Sequence, residues 1–178
     1  SENTILKSEL KNMAFFRKRL GYDLRALSCD RIGEWSRLDR HLFLVNVGAD
    51  FGVLAANRVI QGESMVGRVV SVAGRCSLVQ GTASAFTREI VNIEGVEEEY
   101  VWQGEGRGMA RIRVPETVAE KALGGQVFLA ESTSLAGGLV IGRVVGLDEE
   151  PSGGMVHLKA ESIPISPEHP LLILQALE

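Results

Sequence analysis

Cysteine is almost absent from this sequence of 178 residues, and long apolar runs are missing altogether. The two cysteines, Cys29 and Cys76, belong to no CxxC pair, so the spacing of a zinc ribbon or of a disulfide framework is lacking. Two separate thiols are favoured, with a disulfide left open as the alternative. No stretch reaches the roughly 18 consecutive apolar residues of a membrane-spanning helix. Because the chain begins Ser-Glu-Asn rather than with Met, an N-terminal anchor ahead of it stays compatible with the sequence.

Positive charge is also scarce. The chain has 19 Lys and Arg residues against 23 Asp and Glu residues, which gives a formal net charge of −4. A protein that binds phosphates along a nucleic acid needs an excess of basic residues over much of its surface. We therefore expect no nucleic-acid partner.

Residues with catalytic or metal-binding chemistry are equally sparse. The three histidines, His41, His157 and His169, form no HExxH motif and no pair at metal-ligand spacing. His41 could be the general base of a double-barrel serine protease and Asp50 the residue that orients it. No serine, however, lies in the glycine-flanked sequence context typical of a catalytic nucleophile. The sequence predicts no catalytic residue, no metal site and no cofactor.

Glycine and small apolar residues are what the chain has in abundance. It contains 20 glycines and is 45% hydrophobic, with only 6% aromatic residues. Short valine-rich runs with a period of two, such as "HLFLVNVG" and "GMARIRVP", are closed by glycines. This pattern predicts a mainly β protein built as a barrel or sandwich. The segment "GEGRG", residues 104–108, is predicted to be a turn between two domains.

The first thirty residues follow a different period. Apolar side chains recur at alternating steps of four and three, interrupted only at Arg17, which is the spacing of a heptad seam. The pattern favours a self-associating coiled coil over an amphipathic helix that lies on its own domain. The predicted dimerisation residues are Leu6, Leu10, Met13, Leu20, Leu24 and Leu27.

The sequence divides into four predicted parts. We expect a coiled-coil helix over residues 1–30, a polar linker over 31–40, a first small β-barrel over 41–104 and a second over 105–178. The fold class predicted is therefore mainly β, with an N-terminal coiled-coil helix followed by two small β-barrel domains.

One short sequence motif, called the repeated phrase below, occurs twice. "MVGRVVSV" begins at Met65 and "VIGRVVGL" at Val140, which places the two glycines, Gly67 and Gly142, 75 residues apart. A glycine inside a valine-rich strand indicates a bulge or a close approach of two backbones. We expect each copy to be the bent central strand of one barrel.

The order of these parts resembles the extracytoplasmic region of the rod shape-determining protein MreC family. The resemblance rests on the heptads, on "VNVGADFGVLAANRVIQGESMVGRV" and "SLVQGT", and on "GGQVFLAES" followed by "LAGGLVIGRVV". Gln126 and the run 130–132 depart from the family's usual residues, which marks a divergent member. The glycines that match the family, and are expected to be structural, are Gly48, Gly52, Gly67, Gly125, Gly138 and Gly142.

The resemblance implies a function without chemistry. A member of this family is expected to be a homodimeric scaffold of the cell-wall elongation machinery, anchored outside the cytoplasmic membrane by an N-terminal segment that precedes this chain. The partners it implies are a second copy of the chain, MreD, RodA and peptidoglycan synthases. It also implies that the last strands can return to the first barrel. The alternative is a periplasmic adaptor of an efflux or secretion system, which would need a second helix returning to the barrels.

Overall fold

The computed structural model describes residues 24–36, 40–130, 137–148 and 152–176. Within these ranges the chain forms 13 β-strands and one short α-helix, so the predicted mainly β class is confirmed. No helix in the described ranges is long and apolar enough to cross a membrane.

The strands of the first half come in quick succession, as the closely spaced glycines predict. The 3₁₀ turn Ala49–Phe51 lies between the third and fourth strands. The strands are β1 (Leu24–Cys29), β2 (Arg31–Ser36), β3 (His41–Val45), β4 (Arg58–Gln61), β5 (Ser64–Val72) and β6 (Ser77–Gly81).

The second half contains the helix and the remaining strands. Helix α1 (Glu116–Ala122) follows directly on the strand before it and ends ahead of Gly124, whose φ is +74°. The strands are β7 (Arg88–Ile93), β8 (Glu99–Gly106), β9 (Met109–Pro115), β10 (Gln126–Leu129), β11 (Val140–Leu147), β12 (Met155–Ser162) and β13 (Leu171–Ala176).

Strand pairing forms two closed rings. In the first ring, β1 and β2 act as one strand bent at Asp30, because β1 pairs with β13 while β2 pairs with β3. The circuit is completed by the pairs β13–β4, β4–β5, β5–β6 and β6–β3. In the second ring the order is β7–β8–β9–β12–β11–β10 and back to β7.

One wall of the molecule is shared by two hydrophobic cores. Successive side chains of a strand point to opposite faces of its sheet. In β13, Leu171 and Ile173 pack into the core inside the first ring, while Leu172 and Leu174 pack into the core of the second ring. The side chains of strand β4 likewise alternate between the two cores. The unbroken apolar run "LLIL" is therefore a strand buried on both faces.

The structure corrects the predicted coiled coil at its C-terminal end. Leu24 and Leu27 lie in strand β1, where Leu24 pairs with Ala176 and Leu27 with Ile173. In these residues, backbone pairing with β13 determines the structure in place of the helix that the heptad spacing predicts. This pairing also closes the first ring. Leu6, Leu10, Met13 and Leu20 lie outside the described residues, so their part of the coiled coil stays a prediction.

The predicted linker and domain boundary are also corrected. Much of the expected linker, residues 31–40, is strand β2. The boundary at residue 104 falls inside β8, because the hairpin of β7 and β8 pairs with β9 and β10 rather than with the first ring. The segment "GEGRG" is accordingly the tip of the β8–β9 hairpin and not a turn between domains.

Candidate functional site

The two copies of the repeated phrase lie side by side. Strand β5 contains Gly67 and strand β11 contains Gly142, and the two strands meet in a parallel pairing of Ser64 with Val140. A Cβ atom on Gly67 would lie 2.6 Å from Val79 Cγ1. The repeat is therefore a packing feature at the junction of the rings, where a side chain would collide with the neighbouring strand.

Gly142 is the more crowded of the pair. A Cβ atom there would overlap the carbonyl oxygen of Glu161 and lie 2.6 Å from Cη2 of Trp102. Trp102 is fully buried and donates its indole N–H to the carbonyl oxygen of Thr82, at 2.8 Å. Its ring has little freedom to move away.

The other four predicted glycines serve turns and close contacts. Gly48 has the Cys76 backbone nitrogen 2.8 Å from where its Cβ would be. Gly125 has Ala122 O at 3.1 Å, measured in the same way. Gly52 and Gly138 have φ angles of +78° and +89°, in the left-handed region that favours glycine.

The histidine considered as a catalytic base has a different partner from the one the sequence suggests. His41 Nε2 lies 2.9 Å from Glu34 Oε1, across the β2–β3 hairpin. Asp50 lies instead beside Gly74, whose carbonyl oxygen accepts its backbone N–H at 2.9 Å. In the part of the chain that the structure describes, no three His, Cys, Asp or Glu side chains are placed to share a metal ion.

A cleft with a volume of about 600 Å³ lies between the two rings. One wall comes from β2, the start of β3 and residues 82–83 of the first ring. The other wall comes from the β8–β9 hairpin tip and from residues 161–165, which comprise the end of β12 and the segment after it. The charged and titratable side chains that line this inter-ring cleft are Arg31, Glu34, Arg40, His41, Arg107 and Glu161.

The acidic residues of the inter-ring cleft have basic partners. Glu34 Oε2 lies 3.3 Å from a guanidinium nitrogen of Arg31, and Glu34 Oε1 accepts a hydrogen bond from Nε2 of His41. Glu161 lies 3.2 Å from Arg143. These pairs are partly exposed to solvent, so each contributes little stability, but each offsets a negative charge at the cleft.

Two of the arginines in the cleft have no such partner. Among the described residues, neither Arg40 nor Arg107 forms an ion pair with a carboxylate. The guanidinium of Arg40 lies over the ring of Phe86, 4.2 Å from its centre, which leaves its hydrogen-bond donors unused by an acid. Of the described side chains that line the inter-ring cleft, three are arginines and two are glutamates, so this lining carries a net positive charge in a chain of net negative charge.

Arg107 has an unusual backbone. Its φ of +55° lies between two glycines, Gly106 at +87° and Gly108 at +74°. The tip that holds it is fixed on both sides: Gly106 N–H donates to Ala83 O at 2.6 Å, and Ser162 N–H donates to Gly108 O at 2.9 Å. A side chain at such a φ costs about 1 kcal/mol relative to glycine, so a charged residue is held at a position suited to glycine.

A buried ion pair joins the two rings elsewhere. Arg58 of β4 pairs with Glu89 of β7. Their side chains are only 13% and 5% exposed, so both charges are largely removed from water. No sequence motif predicts this pair, because Arg58 and Glu89 are far apart in the chain and lie in ordinary alternating strands.

Both cysteines are free thiols, as the sequence favours. Cys29 is buried and its thiol contacts the carbonyl oxygen of Leu171 at 3.6 Å, whereas Cys76 is half-buried. Burial, and secondarily the negative charge of Asp30, raises the pKa of Cys29 from 9.0 to about 12. Cys29 is therefore a structural thiol and not a nucleophile.

A thiol-specific disulfide reagent should distinguish the two cysteines. At pH 8 we expect Cys76 to react quickly and Cys29 to react only after denaturant is added. Because the pKa of Cys29 is raised on folding, the folded state keeps a proton that the unfolded state loses, so the stability it contributes falls as pH rises from about 9 to about 12. A Cys76→Ser variant isolates the buried thiol. Rapid labelling of that variant in buffer would contradict the assignment.

Comparisons with known proteins agree with this geometry. The family model described as "Rod shape-determining protein MreC, barrel core" matches residues 32–164. No curated protein sequence is significantly similar to the chain.

Several solved structures share the fold. The crystal structure of MreC from Pseudomonas aeruginosa matches with a TM-score of 0.72 and 15% identity, over 84% of this chain and 98% of that one. MreC from Listeria monocytogenes matches with a TM-score of 0.71 and 15% identity, over 98% and 89%. A structure described as the major periplasmic domain of the cell shape-determining filament MreC has a TM-score of 0.68 and 12% identity, over 88% and 98%.

Proposed function

Because this chain belongs to the MreC family of rod shape-determining proteins, we propose that it is a non-catalytic scaffold of the machinery that elongates the cell wall. The observation that carries the proposal is the family match over residues 32–164, which spans strands of both rings. The two rings would act as two small barrels that present surfaces to partners. Since one wall is shared by both cores, the surfaces of the two rings would be held in a fixed relation.

The partners are proposed on the family resemblance. They are a second copy of the chain, MreD, RodA and peptidoglycan synthases. The scaffold would lie outside the cytoplasmic membrane, held there by a segment ahead of Ser1. A relative is described as a periplasmic domain, which supports the same side of the membrane for this chain.

Self-association is the first element to test. We expect the 178-residue chain to sediment as a dimer, and a variant with Leu10→Asp and Leu20→Asp to sediment as a monomer, because a charge at a seam position disfavours burial between helices. A variant with Lys11→Asp and Lys18→Asp, outside the seam, is the matched control and should stay dimeric. A wild-type chain that is monomeric at all concentrations would contradict dimerisation through these leucines.

Partner capture separates the scaffold from the adaptor alternative. The chain, immobilised through an added tag, is exposed to a membrane extract of the organism that encodes it. Recovery of RodA, MreD or a peptidoglycan synthase supports the scaffold. Recovery of an outer-membrane channel or a transporter in their place would favour an adaptor of an efflux or secretion system.

A further inference from the structure

We propose that the inter-ring cleft binds a short carboxylate-bearing segment of a partner protein, with Arg40 and Arg107 as the residues that pair with its acidic side chains. The inference rests on the proposed function, since it gives the chemistry of one contact that a scaffold would make. It concerns a surface built by both rings, so neither ring alone would present it.

The first support is charge. The carboxylates of the cleft, Glu34 and Glu161, lie beside Arg31 and Arg143, whereas the guanidinium groups of Arg40 and Arg107 have no acidic partner in the described chain. A guanidinium presents several N–H donors in a planar fork that matches a carboxylate. The ligand that satisfies both arginines is therefore anionic.

The second support is the backbone of Arg107. The hairpin tip requires left-handed conformations at residues 106–108, and glycine would meet that requirement at Arg107 with less strain. The turn itself therefore does not need an arginine. Because hydrogen bonds to Ala83 and from Ser162 hold the tip in place, Arg107 is carried on a fixed support in the lining of the cleft. Such preorganisation favours binding because less freedom is lost when the ligand arrives.

The third support is the mixed character of the lining. The lining also includes the apolar residues Val66, Ile163, Pro164 and Ile165. A cleft of about 600 Å³ with apolar side chains is suited to a few residues of a peptide rather than to a bare ion. A polyanion such as a nucleic acid is disfavoured, because the whole chain carries a net charge of −4.

The test is a titration of the isotope-labelled full chain with a capped pentapeptide, Leu-Glu-Leu-Glu-Leu, followed by amide chemical shifts. We expect saturable shifts at Ala83, Arg107 and Met109, which weaken as salt is raised. The same peptide with glutamine in place of glutamate should bind at least about tenfold more weakly, because a neutral amide forms no charge-assisted hydrogen bond.

A variant distinguishes a binding role from a structural one. Arg107→Gly should bind the acidic peptide about tenfold more weakly, while its melting temperature is unchanged or higher because glycine relieves the strained φ. Arg25→Gln, on strand β1 and outside the cleft, is the control and should bind like the wild type.

Three results would overturn the proposal. They are equal affinity of Arg107→Gly and Arg25→Gln, equal affinity of the glutamate and glutamine peptides, and no shift at the cleft amides at millimolar peptide. A heparin oligosaccharide that displaces the peptide and binds more tightly would also overturn it, in favour of a general polyanion site. None of these results alters the sedimentation of the chain or its partner capture, so failure here is distinguishable from failure of the scaffold.

Discussion

Gly142→Ala is expected to lower the free energy of unfolding by about 3 kcal/mol, the upper end of the usual cost of overpacking. The added methyl group would overlap the backbone carbonyl of Glu161 on β12 and press on the ring of Trp102. Neither neighbour is the free end of a flexible side chain. Strand β11 would have to separate from β12, at the point where the second ring is closed. Denaturant unfolding measures the change.

Gly146 is the matched control, since it lies in the same strand and nothing lies within 4 Å of the position of its Cβ. Gly146→Ala should leave stability unchanged or raise it by a few tenths of a kcal/mol, because alanine restricts the unfolded chain. If both variants unfold at the same denaturant concentration, then Gly142 is not needed for close packing and the repeated phrase has no structural meaning.

Removing one partner of the buried pair Arg58–Glu89 is expected to have the other large effect. Either Arg58→Met or Glu89→Leu alone should destabilise the chain by about 3–5 kcal/mol, because each leaves a buried charge without its counterpart. The double variant should recover most of the loss, since two apolar side chains of similar size can replace a buried ion pair at little cost.

Arg111→Met provides the comparison for an exposed pair. Arg111 lies 3.5 Å from Glu105 across the β8–β9 hairpin, with both side chains about half exposed, and its loss should cost less than about 1 kcal/mol. Unfolding of the wild type, the two single variants and the double variant in parallel gives the coupling energy of Arg58 and Glu89. A double variant whose loss equals the sum of the two single losses would mean that Arg58 and Glu89 do not stabilise each other.

Local pattern predicts most of the strands from β3 onward but not their partners, and it does not predict β1 or β2. The period of two and the closing glycines indicate most of β3 to β9, and the stop at Gly124 and Gly125 marks the end of α1. The pairing of β10 with β7 joins strands more than thirty residues apart, and no local signal specifies it. For that reason the predicted boundary near residue 104 falls inside a hairpin of the second ring.

At residues 24 and 27 the heptad spacing predicts a helix where the chain forms a strand. Leu24 and Leu27 extend the pattern of the residues before them, yet they belong to β1, which pairs with β13 at the opposite end of the sequence. Spacing in a short window cannot distinguish the last turn of a helix from the first strand of a sheet when a distant strand decides the outcome.

The sequence does not predict that the arginines of the inter-ring cleft lie on one surface. The arginine in "GEGRG" stands out between glycines, while Arg40 stands in a polar stretch that reads as linker. In the fold, the tip of the β8–β9 hairpin and residues 161–165 line one cleft together with Arg40. The ion pair of Arg58 and Glu89 is not predictable from the sequence for the same reason, because ring closure and not sequence proximity places its members together.

Cell shape is the property that tests the central claim most directly. Depletion of this protein in the organism that encodes it, followed by measurement of cell length and width, should give wide or rounded cells. Re-expression of the full-length wild-type protein should restore rods, and re-expression with Leu10→Asp and Leu20→Asp should not. Rods of unchanged width after complete depletion would contradict a role as a shape-determining scaffold.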